Sequence, residues 1–95
     1  MVDRPQRIRE LVERMGTEEA DGDARYIVLD GIALGRLSRA TGAGWSCEWR
    51  SPDGWARLPG QVERDDAEYA EVWAMEAVAS LLASEEQDRR RAQRG

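Results

Sequence analysis

Cys47, the acid pairs Asp21/Asp23 and Asp65/Asp66, and the glycines Gly31, Gly35, Gly42 and Gly44 are the residues whose types and spacing could do chemistry. Each falls short of a working constellation. The chain has no histidine, so neither a Ser-His-Asp nor a Cys-His arrangement can be built within it. Cys47 is the one cysteine; it can close no intrachain disulfide and cannot make a structural zinc site alone. It lies between Trp45 and Trp49 in an alternating apolar run, where a thiol is expected to be buried and inert. Asp21-Gly22-Asp23 has the opening spacing of a calcium loop, but the position of that loop's final glutamate is Ile32. Asp65 and Asp66 are adjacent, point apart on a helix, and read as first-turn acids. The glycines match neither GxxxxGK[ST] nor GxGxxG. No catalytic, cofactor or metal residue is assigned, and a protein that is not an enzyme is expected.

The elements that hold these residues follow from pattern. Residues 4–15 read as a helix: Ile8, Leu11, Val12 and Met15 make one apolar stripe, Asp3 can cap it, and Gly16 is a natural stop. Residues 17–24 read as an acidic link, with one extra turn at most. Residues 25–29 and 32–37 read as a hairpin about Asp30-Gly31. Leu29 then faces Ile32 and Ile27 faces Leu34 on the core side, with Tyr26, Val28 and Ala33 opposite, and Gly35 marks a weak point or bulge. The rival reading makes 31–40 a helix capped by Asp30. Thr41 to Gly44 is a flexible turn, and Leu34–Gly44 has a faint helix-turn-helix flavour that no recognition helix follows.

Residues 45–50 alternate, and Ser51-Pro52-Asp53-Gly54 turns the chain into a return strand at 55–58. Pairing across that turn sets Arg50 opposite Trp55, Trp49 opposite Ala56, Glu48 opposite Arg57 and Cys47 opposite Leu58. Trp45, Cys47, Trp49, Ala56 and Leu58 then face the core, and Trp55 lies outside in cation–π contact with Arg50. Segment 63–91 carries Ala70, Trp73, Ala74, Ala77, Val78, Leu81 and Leu82 at helical spacing, with acids at its start and Arg89, Arg90, Arg91 and Arg94 at its end. Beyond Ala83 the tail 84–95 is expected to be frayed or an exposed helical extension. The fold class is α+β: an N-terminal helix, an antiparallel meander of three or four strands, and a long C-terminal helix packed on the sheet. The element order is similar to that of the double-stranded-RNA-binding domain. Where that domain carries a basic cluster at the start of its final helix, this chain has Glu63, Asp65, Asp66 and Glu68, and the family is not assigned.

The chain has 95 residues, room for a single domain at 1–95. Apolar residues are 41% and charged residues 35%, a balance that fits a globular protein and excludes a disordered one. No apolar run suits a membrane span or a secretory leader, and one free thiol suits a reducing compartment, so a cytoplasmic protein is expected. All basic residues are Arg, with Lys, Asn and Phe absent, which reads as GC-rich coding. Residues 1–23 carry 4 basic and 7 acidic groups, 24–60 carry 5 and 3, and 61–95 carry 5 and 9, so a mildly positive middle separates two acidic flanks. That is no phosphate-tracking stripe.

Two surface features stand out. Tyr26, Arg50, Trp55 and Arg57 share the outer sheet face, and they are of the types that anchor protein interfaces. Val72 and Met75, with Ala79, form a partial second stripe on the final helix, the mark of a helix that packs once in cis and once on a partner or a second copy. The expected function is that of a small acidic protein-binding module without cofactor, an accessory or inhibitory protein of a GC-rich bacterium or its phage, whose acidic helices steer toward a basic partner surface. The alternative is nucleic-acid binding through the mildly basic sheet and the tail arginines Arg89, Arg90, Arg91 and Arg94.

Overall fold

The computed structural model describes residues 3–40 and 44–94. Its order is α1 (Arg4–Arg14), β1 (Met15–Glu19), β2 (Arg25–Leu29), β3 (Ile32–Ala40), β4 (Gly44–Ser51), β5 (Gly54–Arg57) and α2 (Ala67–Arg94). The five strands form one antiparallel sheet in sequence order, and the long C-terminal helix packs on it, so the α+β class holds. No described helix is long and apolar enough to cross a membrane.

The first helix begins as its sequence requires: the Asp3 carboxylate accepts from the Gln6 N–H at 2.8 Å. It stops at Arg14 because Met15 turns extended (φ −84°, ψ 149°) while its own N–H still caps the Val12 carbonyl. Met15 therefore opens a strand instead of closing the helix, and residues 17–19 of the stretch expected as an acidic link belong to the edge strand β1, while 20–24 connect it to β2. This raises the expected three or four strands to five. Its four residues after Met15 are exposed, and glutamates on an edge discourage pairing with other chains.

The β2–β3 hairpin turns at Asp30 (φ 51°) and Gly31 (φ 82°), the paired left-handed backbone that two-residue hairpins favour. Residues 31–40 are thus not helical, and β3 runs to Ala40. Leu29 pairs with Ile32 as expected, but Ile27 pairs with Gly35, not Leu34, because a bulge shifts the register between Ile27 and Val28. The bulge changes which β3 residues face the core. Beyond it the odd positions turn inward, burying Leu37 completely, and Arg36 turns outward. Ile32, expected in the core, is 55% exposed at the end of the sheet, whereas Val28, expected outside, is buried.

The β4–β5 hairpin has the expected register: Glu48 opposite Arg57, Trp49 opposite Ala56, and Arg50 opposite Trp55. The Leu58 N–H donates to the Cys47 carbonyl at 2.9 Å, and Trp45, Cys47 and Leu58 are buried. The expected turn at 41–44 falls largely on residues outside those described. The chain after β5 returns to the sheet at Val62, which exchanges two backbone hydrogen bonds with Trp45 (2.8 and 2.9 Å).

The long helix begins at Ala67, later than the expected residue 63, with Asp66 as cap: its carboxylate accepts from the Tyr69 N–H at 3.1 Å. Ala70, Ala74 and Val78 are fully buried in the core cluster with Ile27, Leu37 and Cys47. Small side chains at 70 and 74 let the helix lie close to the sheet. At the α1–α2 contact Ala79 is buried, Arg7 holds Glu86 through two bonds of 2.9 and 2.8 Å, and Arg4 reaches the Ser80 and Ser84 hydroxyls at 2.9 and 2.8 Å. The helix continues to Arg94, and residues 87–93 are exposed.

Candidate functional site

The helical layer covers one face of the sheet, the one that carries Ile27, Leu37, Trp45 and Cys47. No described helix covers the other. Strand alternation and register place Glu18, Tyr26, Arg36, Glu48 and Arg57 in one row across all five strands of that open face. Arg50 and Trp55 form a pair beside the row, and Ser38 and Ser46 form another on its far side. The sequence-predicted residues Tyr26, Arg50, Trp55 and Arg57 therefore share one surface. Tyr26 is half-buried, the two arginines are exposed, and Trp55 is 47% exposed.

Two expectations about this face fail. Trp55 takes no cation–π contact from Arg50; among the described residues such contacts fall on Trp45 and Tyr69. Glu48, though opposite Arg57, closes no ion pair with it. Arg36, Arg50 and Arg57 thus have no ion-pair partner among the described residues, and their donors are open to a ligand. A shallow depression of about 430 Å³ at Arg57 is lined by Arg39, Ala40, Ser46, Glu48, Arg57 and Gln61, whereas Arg50 lines another, of about 400 Å³, with Ile32, Leu34 and the α2 residues Leu82, Glu85 and Arg89. Arg36 was missed in the sequence because the bulge, not simple alternation, turns it outward.

The other arginines of the sheet are occupied. Arg25 and Arg39 stack over the buried Trp45 ring, 5.5 and 4.6 Å from its centre. Arg25 pairs with Glu71 at 3.1 Å, and Arg39 pairs with Asp65 and with Asp23 (3.6 Å). Three carboxylates around two guanidiniums make this a clamp between the sheet and the start of α2, so both arginines are paired within the chain, although the buried Nη1 of Arg25 has no hydrogen-bond partner.

The second stripe expected on the long helix divides. Ala79 is fully buried, Met75 is half-buried against the core, and Val72 is 55% exposed. The contact expected of a partner is thus made in cis along most of the stripe, and Met75 is no free anchor. Arg89, Arg90 and Arg91 are exposed on the last turns of α2, with Arg89 held by Glu85 at 3.1 Å; the side chain of Arg94 is not among those described.

Cys47 is buried, its thiol donates to the Glu48 carbonyl at 3.3 Å, and burial pushes its pKa up to about 11. Among the described residues, no three His, Cys, Asp or Glu side chains gather as a metal site would. No protein-family model, curated protein or solved structure matches the chain.

Proposed function

We propose that this chain is a binding module, not an enzyme, and that its open sheet face seats a protein partner. One observation carries the reading: a five-stranded face that no described helix covers presents Trp55, Tyr26 and three arginines that no carboxylate of the described residues engages. Trp, Tyr and Arg are the residue types that dominate interface energetics. The arginines outnumber Glu18 and Glu48 on this face, so the partner's contact patch carries carboxylates around an apolar centre for Trp55. The acidic surplus of the chain lies in its flanking segments, which leaves them to steer a more basic part of the same or another partner.

The experiment is affinity capture with the wild-type chain and with Trp55→Ala. A partner retained by the wild type and lost by the variant, with melting unchanged, supports the reading. Equal retention by both overturns it.

The nucleic-acid alternative rests on the same arginines and aromatics, which could stack and neutralise a single strand. Glu48 in the middle of the row and the net charge of −5 weigh against it. Titration of single-stranded and duplex probes at two salt concentrations separates the readings. Binding with a steep salt slope, lost in Arg36→Ala and Arg57→Ala, establishes the alternative.

A further inference from the structure

The first helix is too short to cover the whole of the long one. α1 reaches α2 at Ser80, Ser84 and Glu86, where its arginines are bonded, and the early turns of α2 extend past it. There the apolar side chains of the helical layer come to the surface: Val72 is 55% and Tyr69 50% exposed. The seam widens into a groove of about 410 Å³ lined by Ile8, Arg9, Val12, Glu13, Glu76 and Ser80. Ile8 and Val12 lie one turn apart on α1, and Glu68, Val72 and Glu76 lie at successive turns on α2. The apolar side chains along this seam are Ile8 and Val12 on the α1 side and, one turn from the groove residue Glu76, Val72 on the α2 side, a line in the direction a third helix would take.

Its rim is acidic. Glu13, Glu68 and Glu76 close no ion pair among the described residues, and Arg9 is the one cation in the lining. Arg64 lies over the Tyr69 ring, 4.7 Å from its centre, and forms an ion pair with Asp66 at 3.6 Å.

We propose that this groove is a second docking site, separate from the sheet face, and that it takes a basic amphipathic helix of a partner protein. The occupant's apolar stripe fills the line from Ile8 and Val12 to Val72, and its flanking Lys or Arg side chains meet Glu13, Glu68 and Glu76. A second copy of this chain is a poor occupant. Its exposed basic helical stretch, residues 87–93, offers Ala92 as its sole apolar side chain. Leu11 of α1 and Met15 just past its end are buried in the core, and Ile8 and Val12 are the half-buried floor of the groove itself, so α1 has no second apolar face to offer another copy.

The test titrates the full chain with a synthetic helical peptide of about eighteen residues, Leu at i, i+3, i+4 and i+7 and Lys elsewhere. A Leu/Glu peptide of the same pattern is the control. The Leu/Lys peptide is expected to bind in a salt-sensitive manner and the Leu/Glu peptide not to bind. Shifted backbone amides should cluster at Ile8, Val12, Val72 and Glu76. Val72→Ser and the double variant Glu13→Gln/Glu76→Gln each weaken binding about tenfold, and Trp55→Ala leaves it unchanged. These positions are at the surface, and circular dichroism confirms that the variants fold. Binding that ignores both sets of substitutions is bulk attraction to an acidic chain and overturns the proposal, as does an absence of binding. A dimer seen by light scattering and broken by Val72→Ser also overturns it, by giving the groove to a second copy. Trp55→Ala keeps this outcome distinct from the fate of the sheet-face reading.

Discussion

Val78 packs directly over Gly35. A Cβ built on that glycine would lie 3.1 Å from the Val78 Cγ2 and equally close to Cβ and Cγ1 of Ile27. Val78 and Ile27 are fully buried, so neither has room to yield. The glycine is what lets the long helix settle on the bulged part of β3, and the same bulge turns Arg36 toward the open face. Gly35→Ala should therefore destabilise the chain by about 1–3 kcal/mol despite removing a strand glycine, which elsewhere is a stabilising change. Urea unfolding would show a lower midpoint with an unchanged slope. Gly44→Ala should cost more, because its Cβ would stand 2.5 Å from the Val62 carbonyl oxygen, a backbone atom held by its bond to Trp45.

The pair Arg7–Glu86 gives the contact between α1 and α2 a pH dependence. The Arg7 guanidinium, bonded through both Nε and Nη2, holds the Glu86 carboxyl below its usual range. A carboxyl with a depressed folded pKa contributes stability above its unfolded pKa of about 4.3, and loses it as the pH falls through the folded value. Glu86→Gln should thus be less stable than the wild type by about 1 kcal/mol at neutral pH, a modest figure for a partly exposed pair. The gap should close in acid. Thermal unfolding of both proteins from neutral pH to about pH 3 checks the sign; a gap that widens in acid would contradict it.

What the sequence disclosed depended on whether local chemistry or tertiary contact decided the element. The β4–β5 register was legible because Ser51-Pro52-Asp53-Gly54 permits one tight turn, and that turn fixes every pair up to Glu48 and Arg57. The Asp30-Gly31 turn was legible for the same reason. β1 was not: Gly16, Thr17, Glu18 and Glu19 have no apolar alternation, and only pairing with β2 makes them a strand. Of the candidate surface, Tyr26, Arg50, Trp55 and Arg57 followed from alternation. Arg36 did not, because a bulge inverts the parity of β3 and no residue pattern states where its extra residue goes. Met75 and Ala79 looked free on the helix alone; their burial depends on tertiary packing that a single helix's pattern does not contain.

Cys47 should behave as a core side chain. Its reactive form is the thiolate, and with a pKa near 11 and a buried sulfur that form is scarce at neutral pH. Labelling by an aromatic disulfide reagent should proceed only through opening of the fold, so its rate should rise with urea in step with the unfolded population. Fast labelling of the native chain would place the sulfur at the surface. Cys47→Ser, which puts a hydroxyl in the same apolar setting, should destabilise more than Cys47→Ala.

The two tryptophans Trp45 and Trp55 offer the sharpest separation of fold from function. Trp45 is 1% exposed and bonds through its backbone to Val62, and its ring underlies two arginines that tie the sheet to α2. Its indole N–H has no hydrogen-bond partner, so the ring contributes through volume and cation–π contact alone. Trp45→Ala should cost about 3–5 kcal/mol, and Trp45→Phe much less, since Phe forfeits no hydrogen bond. Trp55 is nearly half exposed on the short edge strand β5, and Trp55→Ala should shift stability by no more than about 0.5 kcal/mol. Four tryptophans emit, so the comparison is between wild type and Trp55→Ala: the fraction most readily quenched by iodide should be lost in the variant, and the fraction that resists iodide, which includes Trp45, should remain. If Trp55→Ala unfolds the chain, the ring holds the sheet together and cannot be the anchor of the open face. If it leaves the fold intact and partner capture is lost, packing and binding belong to different tryptophans of the same hairpin.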